Sequence, residues 1–179
     1  MLNVDDTLLL VVDIQEKLSR VMHSRQELVE NARRLVQGAR VLGLPVICTE
    51  QNPKGLGPTV AEIRELLAAE APIGKFSFSC CSSTECMQQL RRHDRRCVLL
   101  AGIETHICVY QTAADLVAAG FHTEVVADAC SSRTPRNELV GLDKCRAAGA
   151  HVTSIETALF ELLKVAEGPL FKQILDIVK

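Results

Sequence analysis

The run TLLLVVDI (Thr7–Ile14) is almost continuously apolar and rich in β-branched residues. A strand with one wet face alternates apolar and polar side chains. This run does not alternate, so it reads as a strand covered on both faces. Such a sheet needs helices on both sides, and the rest of the chain supplies them in turn with further strands. Ser24 and Glu27 form a capping box, and Leu28, Leu35, Val36, Ala39 and Leu42 keep helical spacing until Gly43 stops the helix. PVICTE (45–50) is the second strand and QNPKGLGP (51–58) a Gly/Pro loop. Thr59 and Glu62 start a helix through Ala69, and Ser82 and Glu85 cap another that reaches Arg92.

Cys97–Ala101 is the third strand, Gly102–His106 a turn, and Cys108–Ala119 a helix ending at Gly120. His122–Asp128 is the fourth strand. Thr134 before Pro135 is an N-cap with a first-turn proline, opening a helix to Ala148 that Gly149 closes. His151–Ser154 is a short fifth strand, followed by a helix over 156–165. In the last segment, Leu170, Phe171, Ile174, Leu175 and Val178 share one face. That face either closes the chain's own core or docks on another subunit.

Alternating strands and helices imply βαβ units. The expected fold is a doubly wound α/β domain over residues 1–179. Its sheet is mostly parallel, with five or six strands and helices on both faces. A chain of 179 residues can bury such a core, and 47% hydrophobic with 23% charged residues excludes a disordered chain. Net charge is -2 with no basic stripe, so nucleic acid is not an expected partner. No apolar run approaches the ~18 residues a membrane span needs. The start, MLNVDDTLLLVVD, has no basic segment before its apolar run, so the cytoplasm is the expected location. The eight cysteines read as reduced, small hydrophobes, and CCSSTEC (80–86) lacks a metal-ligand spacing.

Cys108 stands where a strand hands over to a helix. The unpaired N–H groups and dipole of a helix N-terminus lower a thiol pKa, so Cys108 is a candidate nucleophile. The other reading is an inert buried thiol. Asp13 lies at the carboxyl end of the first strand, either facing a ligand crevice or bonding a turn. Lys75, in APIGKFSFS between two helices, is either a held cation or a surface residue. All three can converge on the crevice beyond the carboxyl ends of the strands.

VVDIQ (11–15), IGKFSFS (73–79), GIETHICVYQTAADLVAAGF (102–121) and VVADACSS (125–132) together resemble the isochorismatase-like cysteine hydrolases. That family includes nicotinamidases, N-carbamoylsarcosine amidohydrolases and isochorismatases. The chain is most similar to its short isochorismatase-domain proteins of unassigned substrate. The resemblance implies a three-layer, Rossmann-like fold and a triad of Asp13, Lys75 and Cys108. Asp13 would take the thiol proton, Lys75 would hold the carboxylate, and the thiolate would attack a carbonyl. Backbone N–H groups of Glu104 and Cys108 would form the oxyanion hole, beside a cis Ile103–Glu104 peptide.

Gln15, Phe76, Ile103 and His106 are the candidate pocket residues. Three of them have a plainer alternative: Gln15 as a partner of Asp13, Phe76 as core, His106 as a backbone-bonded ring. Asp128 is expected to satisfy backbone N–H groups in the loop that follows it. Nicotinamidases hold a metal with an Asp-x-His pair and a further His, whereas TEQNPKGLGPT (49–59) has no histidine. No metal or cofactor is therefore expected. The implied activity is metal-independent hydrolysis of an amide-like C–N bond in a small molecule, by a homo-oligomer. The alternatives are an isochorismatase-type ether hydrolase, a non-catalytic interaction protein, and a thiol redox protein with Cys130 as resolving cysteine.

Overall fold

The computed structural model describes residues 1–67 and 71–179. Six strands form one parallel sheet: β1 (Thr7–Val12), β2 (Val46–Gln51), β3 (Ile73–Lys75), β4 (Cys97–Ile103), β5 (His122–Ser131) and β6 (His151–Thr153). Their order is β3-β2-β1-β4-β5-β6. Among the described residues the α-helices are α1 (Glu16–Ser19), α2 (Arg25–Val41), α3 (Pro53–Leu56), α4 (Ala61–Arg64), α5 (Thr84–Arg92), α6 (Tyr110–Ala118), α7 (Pro135–Ala147), α8 (Ile155–Leu163) and α9 (Gly168–Val178).

The layering follows from β1, whose residues are all buried. Successive side chains of a strand point to opposite faces. Leu9 and Val11 pack with Leu99 and Ala101 of β4 under α2, α8 and α9. Leu8, Leu10 and Val12 pack with Val98 and Leu100 under α5, α6 and α7. Two apolar cores thus share one central pair of strands. This is why β1 and β4 carry no polar alternation.

The chain runs outward from β1 to β2 and β3, then returns to β4 on the other side of β1. Strand order reverses between β1 and β4, and open α/β sheets bind ligands beyond the carboxyl ends of strands at such a point. Val12 pairs there with Thr49 on one side and Gly102 on the other. Gly102 lies at φ +136, and a Cβ on it would stand 2.1 Å from the Val12 carbonyl oxygen. Only glycine fits.

The differences from sequence expectation have local causes. β3 is a three-residue edge strand, too short to show a period, so Lys75 ends a strand instead of lying on a connecting loop. The helix expected from Thr59 begins at Ala61 and ends at Arg64, and its expected end at Ala69 lies outside the described residues. Ser24 does not cap α2; its hydroxyl meets Ser131 Oγ at 3.2 Å, a tertiary partner the local pattern cannot show. Ser83, not Ser82, caps α5. The last segment packs on α2 and α8 of its own chain and buries Ile174. Asp128 accepts from the backbone N–H of Ile155, at the start of α8, not from the loop beside it. All eight cysteines are free thiols. No helix among the described residues is long and apolar enough to cross a membrane.

Candidate active site

Asp13 leaves β1 with φ +55, a left-handed conformation that aspartate tolerates better than most residues. Its side chain is fully buried and collects two side-chain donors. Lys75 Nζ donates to Oδ2 at 2.6 Å. Thr49 Oγ1 donates to Oδ1 at 2.8 Å. Cys108 lies close enough to the same carboxylate for each group to shift the other's ionisation. Lys75 is equally enclosed: its ammonium also donates to Gln51 Oε1 (3.0 Å) and the carbonyls of Ser77 (3.1 Å) and Phe78 (3.2 Å). A buried cation satisfied in this way stays charged.

Burial raises the Asp13 carboxyl above its usual range, although Lys75, Thr49 and Cys108 all favour the ionised form. Burial pulls the Lys75 ammonium down, but Asp13, with Cys80 and Cys108 adding to it, more than offsets this and the pKa ends above the ordinary value. The Cys108 thiol is pushed up to about 12, first by burial and then by Asp13, with Lys75 offsetting only part. This reverses the expectation of a thiol acidified by a helix N-terminus. Cys108 lies inside a buried π-helical turn, Thr105–Val109, that precedes α6. Desolvation and a neighbouring carboxylate there outweigh the helix dipole. At rest the site holds a neutral thiol against a carboxylate whose proton affinity is raised. That pair can exchange a proton at the moment of attack.

Side chains strap the Cys108 turn to the end of β5. Glu104 Oε2 accepts from the backbone N–H (3.1 Å) and Nε (3.0 Å) of Arg133. Thr105 Oγ1 donates to the Ser131 carbonyl at 2.9 Å, and His106 Nδ1 meets Ser132 Oγ at 3.0 Å. The Glu104 carbonyl accepts from Ile107 and Val109. From behind, α7 presses on the turn through Gly141, where a Cβ would stand 2.6 Å from His106 N. The Ile103–Glu104 peptide is cis.

The sequence-predicted residues are therefore placed unequally. Asp13, Lys75 and Cys108 come together. Gln15 is buried, with its amide on backbone groups: Oε1 accepts from Gln51 N (2.8 Å), and Nε2 donates to the carbonyls of Gln51 (3.0 Å) and Gly57 (2.6 Å). Ile103 points into the core under α2, while Cys108 belongs to the opposite core. Phe76 is 80% exposed, neither core nor enclosed wall. His106 is half-buried beside the turn. Burial also raises the Cys130 thiol, which lies in register with Gly102.

Thr49, Gln51 and Cys80 were not foreseen. Cys80 Sγ lies 3.7 Å from Thr49 Oγ1, and its thiol is lowered by a bond from Cys86, with Lys75 helping against burial. A signal for Thr49 did exist. It is a polar residue near the carboxyl end of the strand beside β1, as Asp13 is at the end of β1 itself. No group of three His, Cys, Asp or Glu side chains among the described residues is placed to hold a metal ion.

The isochorismatase domain matches residues 7–157. The chain is 41% identical over 175 residues to isochorismatase domain-containing protein 2 from Bos taurus, covering 97% of this chain and 83% of that one. Its fold superposes on the MAR1 ribonuclease of Caenorhabditis elegans with TM-score 0.93 at 36% identity, covering 99% of this chain and 91% of that one. It superposes equally, at TM-score 0.93 and 25% identity, on YcaC from Pseudomonas aeruginosa solved with hexane-2,5-diol and covalent acrylamide, covering 98% and 90%. With the parallel sheet, its switch point and the residues gathered there, these matches establish that the chain belongs to the isochorismatase domain family.

Proposed function

We propose that this chain is a metal-independent cysteine hydrolase that cleaves an amide-like C–N bond of a small molecule. One observation carries the reading: a single buried carboxylate, Asp13, bonds the Lys75 ammonium and stands beside the Cys108 thiol, close enough for each to shift the other's ionisation. In the proposed cycle Asp13 takes the thiol proton as sulfur attacks the carbonyl carbon. The backbone N–H groups of Glu104 and Cys108 receive the oxyanion. Asp13 then gives its proton to the departing amine, leaving a thioester on Cys108. Water, deprotonated by Asp13, attacks the thioester; the acid leaves and the thiol regains its proton. Lys75 keeps its charge throughout and holds the carboxylate in place.

The covalent acrylamide on the YcaC protein supports the reading, since it marks a group in a related fold that reacts with a small electrophile. The ribonuclease name of the nematode relative finds no support in this chain's charge of -2. Exposed Phe76 and Phe78 fit burial against a second copy, and the free thiols fit a reducing compartment such as the cytoplasm.

The test is intact-protein and peptide mass spectrometry after exposure to acrylamide and to a panel of small amides. The expected result is an adduct on Cys108 that is absent in Cys108→Ala. In Asp13→Asn it should form only as pH approaches the thiol's own ionisation. An adduct on Cys80 instead would move the nucleophile to that residue and overturn the assignment. No adduct on either cysteine, with no amide consumed, would favour an ether hydrolase or a non-catalytic role.

A further inference from the structure

A carboxylate offers two oxygens with about four lone-pair sites, so one partner does not fix its plane. Lys75 holds Asp13 through Oδ2 alone. The second anchor is Thr49, which grips the same residue twice. Its carbonyl accepts the Asp13 N–H at 3.1 Å, and its hydroxyl donates to Oδ1 at 2.8 Å. Thr49 is fully buried, in register with Val12, and β-branched, which limits its rotamers. Its one hydroxyl proton is committed to Asp13, although Cys80 Sγ lies 3.7 Å from the same oxygen.

We propose that Thr49 is a positioning residue: its hydroxyl fixes the Asp13 carboxylate in the orientation that takes the proton from Cys108. The proposal rests on the reading of Asp13 as base for that thiol. Thr49 acts through Asp13 alone. Its bond also favours the ionised carboxylate against burial. Loss of the hydroxyl therefore misaligns the base and makes it protonate at higher pH.

The experiment follows the rate of acrylamide addition to Cys108 across pH, by mass spectrometry, in the full chain. Thr49→Val keeps the shape and removes the donor. It should slow addition about tenfold at neutral pH and move the acid limb of the profile to higher pH. Thr49→Ser keeps the hydroxyl and should restore both rate and limb. Should the valine variant fail to fold, Thr49→Ala gives the same readout. The proposal falls if a folded variant without the hydroxyl gives the wild-type profile. It also falls if Thr49→Ser is as slow as Thr49→Val at an unchanged melting temperature. Asp13→Asn separates the two levels. If it slows addition while Thr49→Val does not, only the role of Thr49 is lost. If Asp13→Asn leaves the wild-type profile intact, the reading of Asp13 as base falls as well.

Discussion

The two halves of the site are held by different physics. The Asp13 side is an electrostatic clamp. Carboxylate, ammonium and hydroxyl are buried together beside the half-buried Gln51 amide, and the Lys75 ammonium alone has four acceptors within reach. The Cys108 side is a steric and backbone clamp. Its turn is pressed by α7 at Gly141 and tied to the end of β5 by bonds that reach the surface, where the Arg133 side chain is 57% exposed. Buried charge is costly to disturb, whereas surface ties are cheap. The Asp13–Lys75 cluster therefore tolerates change least, and the Cys108 turn depends on shape more than on its ion pair.

Breaking the clamp on the Asp13 side should have the largest effect. Lys75→Ala leaves a buried carboxylate without its cation, which costs about 3–5 kcal/mol. Denaturant melts should show that loss, and acrylamide addition to Cys108 at neutral pH should fall away. If Lys75→Ala folds as stably as wild type, the two halves do not differ as described. Gly141→Ala tests the other half by shape. Its Cβ must displace the backbone at Thr105 and His106, at a cost of about 1–3 kcal/mol. Cys108 reactivity should drop although no charged group has changed.

A third test uses pH. Cys108 and Cys48 are raised to about 12, and Cys97 and Cys145 to about 11, from an ordinary 9.0. The unfolded chain loses these protons first. The stability they contribute is fully present below pH 9.0 and is lost as pH climbs toward those folded values. Lys75, also raised, adds to the loss above 10.5. Thermal melts should therefore fall steadily from pH 9.0 upward, and Cys108→Ala should flatten the decline. A melting temperature that is level across this window would contradict the burial argument. The smallest effect belongs to Arg133→Ala. Glu104 is buried, but the Arg133 side chain is 57% exposed and the substitution keeps the Arg133 backbone N–H on Glu104 Oε2, so the loss should be about 1 kcal/mol and Cys108 reactivity should hardly change. A large loss there would show that the Cys108 turn also depends on charge.

Much of this architecture can be read from the chain. The apolar runs at Thr7–Ile14 and Cys97–Ala101 mark the central strands because both faces of a parallel sheet are dry. Asp13 stands out because it is the first charged residue after such a run. Other features left no local trace. β3 is three residues long and shows no period. Ser24 has a capping pattern but bonds Ser131, a partner distant in sequence. Ile103 stands next to the Cys108 turn in sequence, yet the strand period turns it into the opposite core. Gln15 looks like a pocket residue by position, but its amide completes the hydrogen bonding at the end of β2.

The sequence by itself determined the alternation of elements, the buried central strands and the strand ends at which chemistry-bearing side chains appear. Hydrophobic periodicity and turn chemistry act over a few residues, so they are written locally. Only the tertiary structure decided that Thr49 and Gln51 anchor the Asp13–Lys75 pair, and that Cys80 lies beside it. It also decided that the Cys108 thiol is raised, not lowered. Those outcomes depend on which groups share a water-free space. Desolvation and through-space charge are set by neighbours brought together across the sheet, some of them far apart in the chain.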